Sequence, residues 1–134
     1  MQVFQDAADR AFVGRVVEHL RNHHAQDVRG LADDILGERA RTGIARARQY
    51  GLSWERNLMA FVGLMFAIAP RFDEHEPIRR LLEDEAVVPN LRLDRVVRLT
   101  SEAVWREAQV GREAWWDSDR VDFEDVEPDR LDIR

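Results

Sequence analysis

Apolar residues recur three and four positions apart along most of this chain. That is the period of helices with one buried face. The strongest run lies within residues 45–73, where a helix stop, a helix start and a buried helix follow in succession. Gly51, after Tyr50, stands where a left-handed residue closes the preceding helix without a side-chain clash. Ser53 is placed to cap the next helix through its hydroxyl, and Glu55 to meet the positive end of its dipole. Leu58, Phe61, Val62, Met65, Phe66 and Ala69 then form a stripe that Leu64 and Ile68 widen until little polar surface is left. Pro70 and the polar residues 73–76 end it after about ten largely apolar positions, well short of the ~20 that cross a bilayer. The pattern predicts the central rod of a bundle and no membrane helix.

The same spacing predicts a first helix over residues 2–23, with Phe4, Ala8, Ala11, Phe12, Val16 and Leu20 on its inner face. A polar connector over 25–32, containing Gly30, leads to Asp33 as the cap of a second helix over 34–50. That helix has a thin apolar stripe of Ile35, Leu36, Ala40, Ile44 and Ala47, interrupted by Gly37 and Gly43. Each glycine costs ~1 kcal/mol relative to alanine inside a helix. Their compensation is close approach by another helix, within the chain or in a homodimer. Pro77 suits the first turn of a short helix over 78–84. Asn90 begins a further one bearing Leu91, Leu93, Val96, Val97 and Leu99, and Ser101 caps a last segment through Trp105 to Val110. No strand alternation or repeat is present. The expected fold is all-α: a compact orthogonal bundle of five to six helices around a central apolar helix, over residues 1–112, followed by an acidic tail over 113–134.

Composition narrows the chemistry. A chain of 134 residues suits one domain with a single core. It has no cysteine, which removes disulfides, thiolate metal sites and cysteine nucleophiles. Every one of the 20 basic residues is arginine, so Schiff-base and other lysine chemistry is also absent. No apolar leader follows Met1, and the expected location is the cytoplasm. The net charge of −6 is uneven: residues 117–134 hold eight acids against three arginines. This balance disfavours nucleic acid as a partner.

Candidate sites are few. His19 and His23, four apart, put two imidazoles on one face, but two ligands do not make a metal site, and with His24 beside them they read as a solvated helix end. Residues 73–76, Asp-Glu-His-Glu, read as an exposed polar loop rather than an acid–base pair, because nothing in their pattern shifts a pKa. Arg39, Arg41, Arg46 and Arg48 form the densest basic patch. It is either a solvated face or a surface for carboxylate or phosphate, the acidic tail included. Trp115 and Trp116 point about 100° apart on a helix, so with Phe123 they either anchor a partner or wrap the bundle. Tyr50, Trp54 and Trp105 read as packing residues. Nucleophile elbows, phosphate loops and dinucleotide fingerprints are lacking, so no catalytic residue, metal or cofactor is assigned.

The set Ala47-x-x-Tyr50-Gly51, Glu55-Arg56, Leu64-Met65-Phe66, Phe72-Asp73, Pro77 and Leu81-Leu82 resembles a largely uncharacterised group of small bacterial proteins found beside type VI secretion and polymorphic-toxin genes. It departs from that group at Ala69, where glycine is expected, and in its acidic tail. The resemblance covers residues 33–105 and implies a non-enzymatic, protein-binding accessory: an adaptor or chaperone for a secreted effector, or an immunity protein. The partner-binding candidates come instead from the residues themselves: Trp115, Trp116 and Phe123 of the tail, and Arg39, Arg41, Arg46 and Arg48 of the basic patch. A metal- or anionic-ligand-binding helical regulator is the alternative.

Overall fold

Six α-helices and no strand make up residues 2–111, the part of the chain that the structure, a computed structural model, describes. Side chains are described from residue 8 to residue 110. The helices are α1 (Gln2–His23), α2 (Asp33–Gln49), α3 (Glu55–Ala67), α4 (Glu76–Leu82), α5 (Pro89–Leu99) and α6 (Glu102–Ala108). Single 3-10 turns occupy Phe72–Glu74 and Gln109–Gly111. None of the helices is long and apolar enough to cross a membrane among the described residues.

α1 buries Phe12, Val13, Val16 and Leu20. Ala8 and Ala11, expected on that face, are exposed, because larger side chains on a nearly overlapping stripe gain more by burial. Phe4 lies outside the residues whose side chains are described. Val28 turns inward from the connector, and Gly30 follows at φ 82°. Asp33 is not the cap of α2: it sits inside the first turn, where its carboxylate accepts hydrogen bonds from Arg21 at 2.6 and 3.2 Å. The backbone of Ala32 takes the cap position, with no side-chain bond.

The end of α2 follows the expected chemistry. Gly51, at φ 93°, lets its own N–H reach Arg48 O at 2.9 Å and the N–H of Leu52 reach Ala47 O at 3.1 Å. These two bonds are the paired closure of a helix that ends in a left-handed residue. A Cβ on Gly51 would lie 2.9 Å from Pro89 Cβ, so the same glycine lets the start of α5 approach.

Ser53 does not cap α3. Its Oγ accepts from Asn90 Nδ2 at 2.9 Å, while Asn90 Oδ1 accepts from the backbone N–H of Ser53 and Trp54 at 2.9 and 3.1 Å. The free donors before α3 are thus satisfied across the fold, from α5, rather than by a local hydroxyl. Buried Asn57 donates to Asn90 O at 2.8 Å and completes the junction. Asn90→Ala is expected to lower the urea midpoint by an amount worth about 2 kcal/mol, because it strands donors in a partly buried joint. An unchanged midpoint would assign the capping to solvent.

α3 carries Leu58, Phe61, Val62, Met65 and Phe66, all essentially without exposed surface, and packs against α1, α2 and α5. Two glycines make the approaches possible. Gly43 of α2 receives Met65, and Gly63 of α3 receives the His24 ring. The room left by Gly37 and Gly43 is therefore filled by Val13 of α1 and by α3 of the same chain. Pro77 lies in the first turn of α4, and Ser101 Oγ accepts from Val104 N–H at 3.2 Å at the start of α6, both as the spacing predicts. α5 departs from its expected stripe: Leu93 and Val96 are buried, but Leu91, Val97 and Leu99 are about half exposed.

Candidate functional site

Two concave regions border α2 on opposite sides, and they divide the arginines that the sequence places in one patch. Positions 39 and 46 share one face of the helix, and positions 41 and 48 share the opposite one, since seven residues bring a helix back to nearly the same direction.

On the first side, Phe72 is drawn into the core against Phe61 and Trp105, with ring centroids 5.0 and 6.5 Å apart. That anchor pulls its neighbour inward, and Asp73 is only 2 % exposed. Residues 73–76 are therefore not the exposed loop that their polarity predicts. Glu74 and Glu76 are exposed, but Asp73 is buried, and His75 is half-buried with Nε2 3.1 Å from Glu107. Arg46 lies over the Phe61 ring, donates to Pro70 O at 2.8 Å and makes a close ion pair with Asp73. Tyr50, one turn further on, donates its hydroxyl to Asp73 Oδ2 at 2.8 Å.

Burial raises the Asp73 pKa and outweighs the Arg46 charge and the Tyr50 hydrogen bond, which pull it down. Burial, followed by the Asp73 charge, raises that of Tyr50 well above the ordinary phenol value. The phenol therefore stays a donor. Arg92 completes this side by donating to Val87 O, Leu82 O and Tyr50 O at 2.8, 3.2 and 3.3 Å. A cleft of about 700 Å³ opens above these groups, edged by Glu74, Glu83 and Glu85. Its guanidinium groups are spent on internal acceptors and its rim is acidic. An anion is disfavoured here, where Arg46 is engaged by Pro70 O and Asp73.

On the other side, α1 and α2 enclose a groove of about 410 Å³. Phe12, Val13, Ile44 and Ala45 line its floor, and Asp9, Arg10, Arg41 and Arg48 its rim. Arg48 lies 3.6 Å from Asp9, whereas Arg10 and Arg41 are exposed and have no ion pair among the described residues. Exposed guanidinium groups around an apolar floor suit a ligand that is both apolar and anionic. Arg39, half-buried on the Arg46 face, does not join this rim.

The histidines at the end of α1 do form a cluster. The His19 ring centroid lies 4.7 Å from that of His23 and 5.7 Å from that of His24. Burial and then the charges of His23 and His24 lower the His19 pKa. His24 is half-buried against Gly63, with Nδ1 3.7 Å from Asp27, so this end is packed rather than simply solvated. No group of three or more His, Cys, Asp or Glu among the described residues could hold a metal ion. Trp54, expected to pack, is 48 % exposed beneath the Arg56 guanidinium, while Tyr50 and Trp105 are half-buried. Trp115, Trp116 and Phe123 lie outside the described residues.

Comparison of the chain with protein-family models, with curated proteins and with solved structures gives no match.

Proposed function

We propose that this chain is a protein-binding accessory of a bacterial secretion or toxin system, acting in the cytoplasm as an adaptor or chaperone for an effector, or as an immunity protein. In this reading residues 1–112 are a helical body with α3 as its central rod, and residues 113–134 an acidic tail. The observation that carries it is the α1/α2 groove, whose apolar floor and exposed Arg10 and Arg41 match a peptide segment bearing apolar and acidic side chains. The resemblance of the segment from Ala47 to Leu82 to companions of type VI secretion genes supplies the biological setting.

The test is affinity capture from the native host with the full chain and with the Arg41→Glu/Arg48→Glu chain, followed by binding of the recovered candidate as purified protein. Loss of at least tenfold in affinity on charge reversal supports the reading, and equal affinity places the contact elsewhere. Deletion then separates the roles. An immunity protein is needed for survival in the presence of one neighbouring toxin, whereas an adaptor is needed for export of its effector and not for survival. The anionic-ligand alternative uses the same rim, and predicts binding of inorganic phosphate or a short polyanion that lacks any apolar part.

A further inference from the structure

We propose that the α1/α2 groove receives the chain's own acidic segment, residues 113–134, as an intramolecular strap that an external partner must displace. This rests on the reading of that groove as the chain's peptide-receiving surface. The groove and the segment are complementary in charge and apolarity. Phe12, Val13 and Ile44 form an apolar floor between Arg10, Arg41 and Arg48. Two of these three guanidinium groups have no acidic partner among the described residues. Residues 113–134 offer the matching set: nine acidic residues against three arginines, with Trp115, Trp116 and Phe123 interspersed.

Charge also selects this groove over the other cleft. Glu74, Glu83 and Glu85 edge the latter, and its two arginines already serve Asp73 and backbone carbonyls, so an acidic segment is repelled there. The tether is long. The 23 residues after Gly111 span roughly 75 Å when extended, against a radius of gyration of ~13 Å for a body of this size. Tethering holds the segment at an effective concentration in the millimolar range, so even weak docking competes with a free partner. The strap thereby sets a threshold: only a partner whose own segment binds more tightly opens the groove.

The experiment uses the full chain and exploits its lack of cysteine. A nitroxide attached at Ser118→Cys reports, through broadening of backbone amide signals, which surface the segment visits. Selective broadening of residues 8–16 and 40–48 relative to α5 is expected. It should be lost in Arg10→Glu/Arg41→Glu/Arg48→Glu, and also for the unreversed chain in about 1 M NaCl, where the Debye length is ~3 Å. The salt arm keeps the test valid should the triple variant lose its fold. Broadening that is absent at the groove, or unchanged by both treatments, overturns the proposal. Broadening seen only when spin-labelled and isotope-labelled chains are mixed also overturns it, and makes a second copy's segment the occupant. Failure here is separable from failure of the binding reading: charge reversal that abolishes partner affinity without any groove broadening leaves the groove a partner site and removes the strap.

Discussion

Asp73→Ala is expected to destabilise the protein by roughly 3 to 5 kcal/mol, read as a lower urea midpoint at an unchanged m value. The carboxylate is buried and accepts from both Arg46 and Tyr50. Its removal leaves a largely buried guanidinium with only Pro70 O and a phenol with only a 3.3 Å contact to the Asp73 carbonyl. The cost lies in the stranded partners rather than in the attraction of the pair, so removing both charges restores much of the loss. Arg46→Met/Asp73→Leu is expected to be more stable than Asp73→Ala alone. A double variant less stable than the single one would mean that the pair contributes specific geometry that apolar packing does not replace.

The sign of the pH dependence follows from the direction of the Asp73 shift. A carboxyl whose folded pKa is raised favours folding most below its ordinary value of 3.8, and that contribution is lost as pH rises through the folded value. Asp73→Asn does not titrate. Its stability deficit relative to the unaltered chain is therefore expected to be largest in acid and to narrow as pH rises from 3.8 toward neutrality. The opposing contribution of Asp84, whose pKa is lowered by the Ala86 N–H and Arg95, is common to both chains and cancels in the difference. Urea denaturation across this pH range measures the gap, and a deficit that grows with pH contradicts the assignment.

Gly43→Val is the second large effect, a loss of roughly 3 kcal/mol or about 10 °C in Tm for a domain of this size. A Cβ alone at this position would stand 2.4 Å from Met65 Sδ and 3.0 Å from Val62 Cγ2. Met65 has no exposed surface into which to retreat, so α2 and α3 must separate along their contact. Gly14 of α1 supplies the contrast, because nothing lies within 4 Å of where its Cβ would be. Gly14→Ala is expected to stabilise the chain by about 0.5 to 1 kcal/mol through helix propensity alone. Thermal unfolding of the two variants should move in opposite directions, and a common direction would remove the close contact as the reason for Gly43.

Helix ends are legible in this sequence where the chemistry that makes them is local. Gly51 closes α2 through its left-handed φ, Pro77 opens α4 through its fixed φ, and Ser101 caps α6 by accepting from Val104 N–H three positions on. Where the satisfying group comes from a distance, the local pattern misleads. Ser53 and Asp33 both read as caps, yet Asn90, 37 positions on, holds the first, and Arg21, 12 positions back, holds the second. The Asp73 cluster is hidden for the same reason, since burial of a carboxylate depends on Phe72 reaching Phe61 and on Arg46 arriving from another helix. One signal does point to it: Arg46 on α2 and Tyr50 at its C-cap lie one turn apart, a fork and a phenol on one side. The division of the four arginines is likewise written in their seven-residue spacing, which separates 39 and 46 from 41 and 48 on opposite faces.

Arg92 binds the ends of separate elements: the last turn of α4 through Leu82 O, the cap of α2 through Tyr50 O, and the residue before the α5 entry through Val87 O. One consequence is kinetic. The final turn of α2, α4 and the first turn of α5 share a single fastening, and local fluctuations there cannot proceed element by element. These segments are therefore expected to open to solvent and close again as one cooperative unit, with amide exchange rates that change together in Arg92→Ala.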